Sequence, residues 1–165
     1  MTDAALRAKA KRVLEVFRSR GWSVATAESC TGGLVAGALT DIAGSSEVFD
    51  RGFVTYSNEA KQAMLHVPAS TLRRYGAVSA ETAAAMAAAA LKHSRADAAV
   101  AITGIAGPGG GTRQKPVGLV YFAAASRNGG RLASEQHYGK IGRSRVRARS
   151  VAEALGLLLL LANTK

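Results

Sequence analysis

The sequence predicts an α/β fold: a single three-layer α/β/α domain over residues 1–165 with a mixed, largely parallel sheet. Three stretches carry that prediction. Trp22–Ala27 is a short β-branched and aromatic run that leads, through two glycines, into Leu34–Ile42, whose apolar spacing suits a helix. Ala98–Ile102 is a short continuous apolar run, the pattern of a strand buried on both faces of a parallel sheet. Val117–Ala125 and Leu132–Tyr138 read as strands joined by Asn128-Gly129-Gly130, which supplies the turn of an antiparallel hairpin.

The remaining elements follow in order. Asp3–Ser19 places Leu6, Ala10, Val13, Leu14 and Phe17 on one face of a helix that Arg20-Gly21 ends. Gly44-Ser45-Ser46 makes a turn before a second strand over Val48–Tyr56. Ser57-Asn58-Glu59 has the composition of a helix start, with Lys61 in the first turn. A further helix breaks at Val67-Pro68-Ala69 and resumes to Tyr75. Ser79 caps a helix over Ala80–His93, where the alanine run Ala83–Ala90 has high helix propensity. The last helix, Val151–Ala162, is apolar nearly all round apart from Glu153, which predicts burial, partly at a subunit interface of a homo-oligomer, a dimer or higher.

Composition narrows the function classes. The 165 residues are 48% hydrophobic and 20% charged, as in an ordinary soluble globular protein. One cysteine excludes an internal disulfide framework and fits a reducing compartment. Met1–Arg12 has no apolar signal-peptide core, and no stretch approaches the roughly 20 apolar residues of a membrane span. A cytoplasmic protein without membrane contact is expected. The formal charge of +11 favours anionic partners. Nucleic acid is disfavoured among them, because aromatic residues make up only 5% and none interleave with a basic run.

The stretch Thr26-Ala27-Glu28-Ser29-Cys30-Thr31-Gly32-Gly33 is where chemistry concentrates. Ser29 sits near the carboxyl end of a strand, where open α/β sheets place their ligands. A helix follows at once, and its first amides offer unpaired donors. A serine there can attack a carbonyl while N–H groups hold the oxyanion. Ser29 and Thr31 can equally serve as plain helix caps. Lys61 in a first helical turn meets the positive end of the helix dipole, which favours its neutral form; a solvated lysine with a small penalty is the plainer alternative. Thr103-Gly104-Ile105-Ala106-Gly107-Pro108-Gly109-Gly110-Gly111 follows a strand but matches neither a Walker loop nor GxGxxG. It offers a flexible loop with exposed amides.

The eight-residue string resembles the signature of the CinA C-terminal domain family, the nicotinamide-mononucleotide deamidases. The likeness continues through Asp41–Ser46, Arg51–Lys61, Tyr75–Ser79, Thr103–Pro108, Gly110-Gly111 and Lys115–Gly118, and so covers nearly the whole chain. It implies hydrolysis of nicotinamide mononucleotide to nicotinic acid mononucleotide and ammonia, a step of pyridine nucleotide salvage, without metal or cofactor. Ser29 would be the nucleophile, Lys61 the general base, and Tyr56 a proton relay or orienting group. Amides near Thr31, Gly32 and Gly33, or near Thr103 and Gly104, would form the oxyanion hole. Ser45 and Ser46 of the Gly-Ser-Ser turn, with Arg143 and Arg147, would hold the ribose-phosphate. The family's usual Gly-Asp-Arg is Ile141-Gly142-Arg143 here, so the acid is missing. A non-catalytic nucleotide-binding module of the same family is the competing reading.

Two residue types point elsewhere and are set aside. Cys30 neighbours Ser29, but adjacent side chains of an extended segment face opposite ways, and a buried inert thiol is expected. His66, His93 and His137 are far apart in the chain and show no ligand spacing, so neither a catalytic zinc nor a Ser-His-Asp triad is expected.

Overall fold

The computed structural model describes residues 3–164; Met1, Thr2 and Lys165, the ends of the expected domain, lie outside the described residues. Helix α1 (Asp3–Ser19) is followed by β1 (Val24–Glu28), α2 (Leu34–Thr40), a 3-10 turn at Ser45–Glu47, and β2 (Phe49–Val54). Helices α3 (Asn58–Leu65), α4 (Ala69–Tyr75) and α5 (Ala80–Lys92) come next. Strands β3 (Ala98–Gly104), β4 (Leu119–Ser126) and β5 (Arg131–His137) precede α6 (Arg143–Asn163).

The five strands form one sheet in the order β2-β1-β3-β4-β5. β1 pairs parallel with both β2 and β3, whereas β3–β4 and β4–β5 are antiparallel. The sheet is therefore mixed, with its parallel part around β1. Helices cover both faces. Phe17, Leu39, Leu155 and Leu158 belong to the core on the side of α1, α2 and α6; Leu65, Leu72, Met86 and Ala90 build the core on the side of α3, α4 and α5. The alanines of α5 let that helix lie close on β3 and β4, whose facing residues Ala99, Ala101, Ala123 and Ala125 are also small.

β1 is buried along its whole length, and its residues alternate between the two cores. Val24 faces α1, α2 and α6, while Ala25 and Ala27 face α3–α5. This period-two alternation is the ordinary pleat of a strand. It decides which layer each residue at the strand's end can reach.

One sequence expectation changes. The terminal helix starts at Arg143, not Val151, because nothing in the arginine-rich segment breaks a helix and arginine is a good helix former. Its apolar half is covered within the same chain, by α1 and by β3, β4 and β5. Leu160, 61% exposed, is the large apolar residue that α6 turns outward. Much of the apolar face of 151–162 is thus buried in the chain's own core. No helix among the described residues is long and apolar enough to cross a membrane.

Leu158 is fully buried in the core under α6, remote from Ser29. Leu158→Ala should cost about 2–5 kcal/mol of stability. A urea titration should show a lower midpoint with an unchanged slope.

Candidate active site

Ser29 ends the buried run of β1. Its N–H donates to Ile102 O at 2.9 Å, so the residue is still held to β3. By the alternation of β1 its side chain faces the α3–α5 layer. There the amine of Lys61 lies 3.0 Å from Ser29 Oγ and donates to Thr55 O at 2.9 Å. Helix α3 delivers that lysine because Ser57 caps it: Ser57 Oγ accepts from Ala60 N at 3.0 Å, as the Ser-Asn-Glu composition predicts.

Lys61 is 1% exposed, and no carboxylate among the described residues lies within ion-pairing distance of it. Burial holds its pKa below the ordinary 10.5. The cause is desolvation, not the helix dipole invoked from sequence: an ammonium loses its water and gains no counter-charge. A neutral amine in this position has a lone pair for the Ser29 proton and N–H groups for the Thr55 carbonyl.

A cavity of about 270 Å³ opens in front of this pair. Tyr56, Val78, Thr103, Gly104, the segment Ile105–Gly107 and Arg143 line it with Ser29 and Lys61. Arg143 spans the mouth, donating from Nη1 to Gly107 O at 3.0 Å and from Nη2 to Tyr56 Oη at 3.0 Å. Tyr56 is 59% exposed, and its recorded partner is Arg143; neither Ser29 nor Lys61 bonds to it. Thr103 Oγ1 donates to Ala77 O at 2.6 Å, which ties the cavity floor to the segment before α5. Gly104 has no room for a side chain: a Cβ would stand 2.7 Å from Val120 Cγ2.

Several residues expected at the site lie elsewhere. Gly32 and Gly33 take left-handed backbone angles, with φ of 59° and 94°. Their N–H groups are already used, Gly32 N on Ser29 O at 3.0 Å and Gly33 N on a Glu28 carboxylate oxygen at 3.0 Å. These glycines make the turn and offer a ligand no donor. Thr31 is fully buried behind the turn. Arg147 supports it from the rear, donating from Nη2 to Thr31 O at 2.8 Å, and lines a groove between α1, α2 and α6. Ser45 and Ser46 stand at the other end of the sheet. Val24 N at the start of β1 donates to Val48 O, and Arg18 of α1 holds the turn through Glu47 and Gly44 O. With about 3.3 Å per strand residue, the length of β1 keeps these serines roughly 17 Å from Ser29. Ser29 therefore shares its cavity with Arg143, but not with Arg147, Ser45 or Ser46 of the same chain.

Glu28, which the sequence reading passed over, takes three main-chain amides of the turn. Its signal in the sequence is an acid at the end of a strand that leads through a short glycine turn into α2, whose start favours negative charge. Cys30 belongs to the core on the α1, α2 and α6 side, and burial pushes its thiol up to about 11. Such a thiol is inert. His66 and His93, distant in sequence, meet edge to face with ring centroids 4.6 Å apart. Among the described residues no group of three or more His, Cys, Asp or Glu is placed to hold a metal ion.

The architecture and this site can be set beside known proteins. The model of the CinA C-terminal domain matches residues 6–162. The chain belongs to the CinA C-terminal domain family. Within it, the nicotinamide-nucleotide amidohydrolase PncC of Escherichia coli K12 is 50% identical over 158 residues, covering 96% of this chain and 95% of that protein. A CinA-like protein of Synechococcus is 50% identical over 148 residues, which make up 36% of its own length. The crystal structure of the competence/damage inducible protein CihA from Agrobacterium tumefaciens superposes with a TM-score of 0.94 at 55% identity, covering 98% of this chain and 96% of that one. A CinA superfamily protein from Klebsiella pneumoniae 700603 gives 0.90 at 38% identity, covering 96% and 99%.

The lowered lysine pKa makes stability depend on pH with a defined sign. Between the folded pKa and 10.5 the unfolded chain binds a proton that the folded chain does not. Stability therefore rises with pH through that window and falls as pH drops. Compared with Lys61→Met, the wild type should gain stability as pH rises from the lowered folded pKa toward 10.5, then level off. Paired urea titrations across that range would show it; a constant difference would mean Lys61 stays charged when folded.

Proposed function

We propose that this chain hydrolyses the carboxamide of nicotinamide mononucleotide, giving nicotinic acid mononucleotide and ammonia, with Ser29 as nucleophile and Lys61 as general base. The observation that carries the reading is the 3.0 Å approach of a buried lysine amine, without a counter-charge, to a serine hydroxyl at a strand end. A serine is a weak nucleophile until a base removes its proton, and a desolvated lysine is a base suited to that task. The similarity to PncC supports the substrate.

The chemistry follows from those two groups. Lys61 Nζ takes the Ser29 proton as Oγ attacks the carboxamide carbon, and the carbonyl oxygen becomes an oxyanion. The ammonium of Lys61 then passes its proton to the leaving nitrogen, and the C–N bond breaks to leave an acyl-serine ester and ammonia. Water, deprotonated by the same amine, attacks the ester carbon; the C–Oγ bond breaks, the Lys61 ammonium returns its proton to Ser29 Oγ, and the acid leaves. Of the amides in the turn, those of Cys30 and Thr31 are engaged by no oxygen of another described residue, whereas Gly32, Gly33, Leu34, Val35 and Ala36 are all occupied. We assign the oxyanion donors to Cys30 and Thr31 on that ground. Arg143, which lines the same cavity as Ser29, is assigned as the cation for the phosphate.

Purified protein incubated with nicotinamide mononucleotide should release ammonia in proportion to enzyme. Ser29→Ala and Lys61→Ala should each lower kcat by roughly 100- to 10,000-fold, and the double variant should be little worse than either. No ammonia from the wild type would leave the nucleotide-binding module as the reading.

Arg143→Ala should raise KM roughly tenfold or more, the scale of a charge-assisted contact, with a smaller change in kcat. Tyr56→Phe should mainly move KM, because the phenol bonds to Arg143 and not to the reacting pair. A fall in kcat alone for Tyr56→Phe would instead return Tyr56 to proton transfer.

A further inference from the structure

We infer that Glu28 is a positioning residue for this site: its carboxylate, bound by the amides of Gly33, Val35 and Ala36, holds the nucleophile turn in the shape that catalysis needs. The inference rests on the serine–lysine reading and extends it to a residue that meets no substrate.

Glu28 is completely buried. Its Oε2 accepts from Gly33 N and Val35 N, both at 3.0 Å, and its Oε1 accepts from Ala36 N at 2.9 Å. No lysine, arginine or histidine forms an ion pair with it among the described residues. A buried carboxylate is costly unless fully hydrogen-bonded, and here charge-assisted main-chain bonds fill both oxygens. No ordinary side-chain cap is present at this helix. Gly33 occupies the cap position with φ of 94°, a conformation that disfavours side-chain-bearing residues, and it has no side chain to bond the first amides. The acceptor must come from another part of the chain, and the end of β1 supplies it.

The alternation of β1 gives this arrangement its consequence. Glu28 and Ser29 are neighbours on one strand, so Glu28 reaches the α2 layer while Ser29 reaches Lys61 in the α3 layer. A shift of the turn on its Glu28 anchor moves the Ser29 backbone and the amides of Cys30 and Thr31 together. By binding the downstream amides, Glu28 also leaves those two as the donors still open at the turn. The expected defect on loss of the anchor is therefore in the chemical step, not in binding, because Arg143 is carried by α6.

Glu28→Gln keeps the size but replaces one oxygen by an NH2 that must face an amide N–H. It should lower kcat at least tenfold while KM stays within threefold. The rate at which a fluorophosphonate labels Ser29 should fall in parallel. Leu158→Ala, matched for its loss of melting temperature, should keep kcat within twofold, which separates positioning from general destabilisation. Glu28→Asp keeps both acceptors on a side chain one methylene short, and should fall between Gln and wild type. In the wild type, amide exchange at Gly33, Val35 and Ala36 should be as slow as in β1. Full kcat in folded Glu28→Gln or Glu28→Asp, or fast exchange at those three amides, would overturn the inference. If Ser29→Ala and Lys61→Ala stay active in the same assay, the serine–lysine reading fails instead, whatever Glu28→Gln does.

Discussion

Two oxygen atoms hold the Lys61 amine inside the protein: the Ser29 hydroxyl and the Thr55 carbonyl. An ammonium with only these neighbours would lose most of its hydration and receive no charge in return, so the neutral form is favoured. That is a loss to stability, because the unfolded chain can protonate the lysine freely. On the proposed mechanism the same loss favours the useful form, since only the neutral amine has a lone pair for the serine proton.

The position of β1 makes the contact possible. As an inner strand, paired parallel with β2 and β3, it delivers its carboxyl end between the chain leaving β2 and the chain leaving β3. The segment after β2 brings Thr55, Tyr56 and α3 with Lys61; the segment after β3 brings Gly104 to Gly107. Both meet at Ser29. Ligands of open α/β sheets bind where neighbouring strands send their connections apart, and here the two connections form the walls of one cavity. Gly104 serves this geometry by close packing on β4.

The charge of +11 bears on the site less than its size suggests. Arg143 faces the cavity, whereas Arg147, one helical turn on, is directed at the back of the nucleophile turn. Residues four apart share a helix face, but a face several residues long can border two different spaces. The first lines the cavity in front of Ser29; the second touches a carbonyl of the protein itself. Net charge describes attraction at a distance, and single hydrogen bonds decide which cation meets the ligand.

Local signals were enough for what depends on local chemistry. Ser57 and Ser79 cap their helices as their composition predicts, Asn128-Gly129-Gly130 closes the hairpin, and the Ser29 string marks a strand running into a helix. Strand ends moved by a residue or two, since pairing partners set them and not the segment alone. What the tertiary structure decided is long-range. Whether an amide at the turn is free or used depends on where the Glu28 side chain goes, and no pattern within the string states that. The Gly-Ser-Ser turn lies near β1 in sequence yet sits at its far end, because the chain runs back along α2 before entering β2. The apolar terminal helix has the same composition whatever covers it; packing shows that α1 and the sheet of its own chain cover much of it. Periodicity records that a face must be buried, and three-dimensional neighbours determine by what.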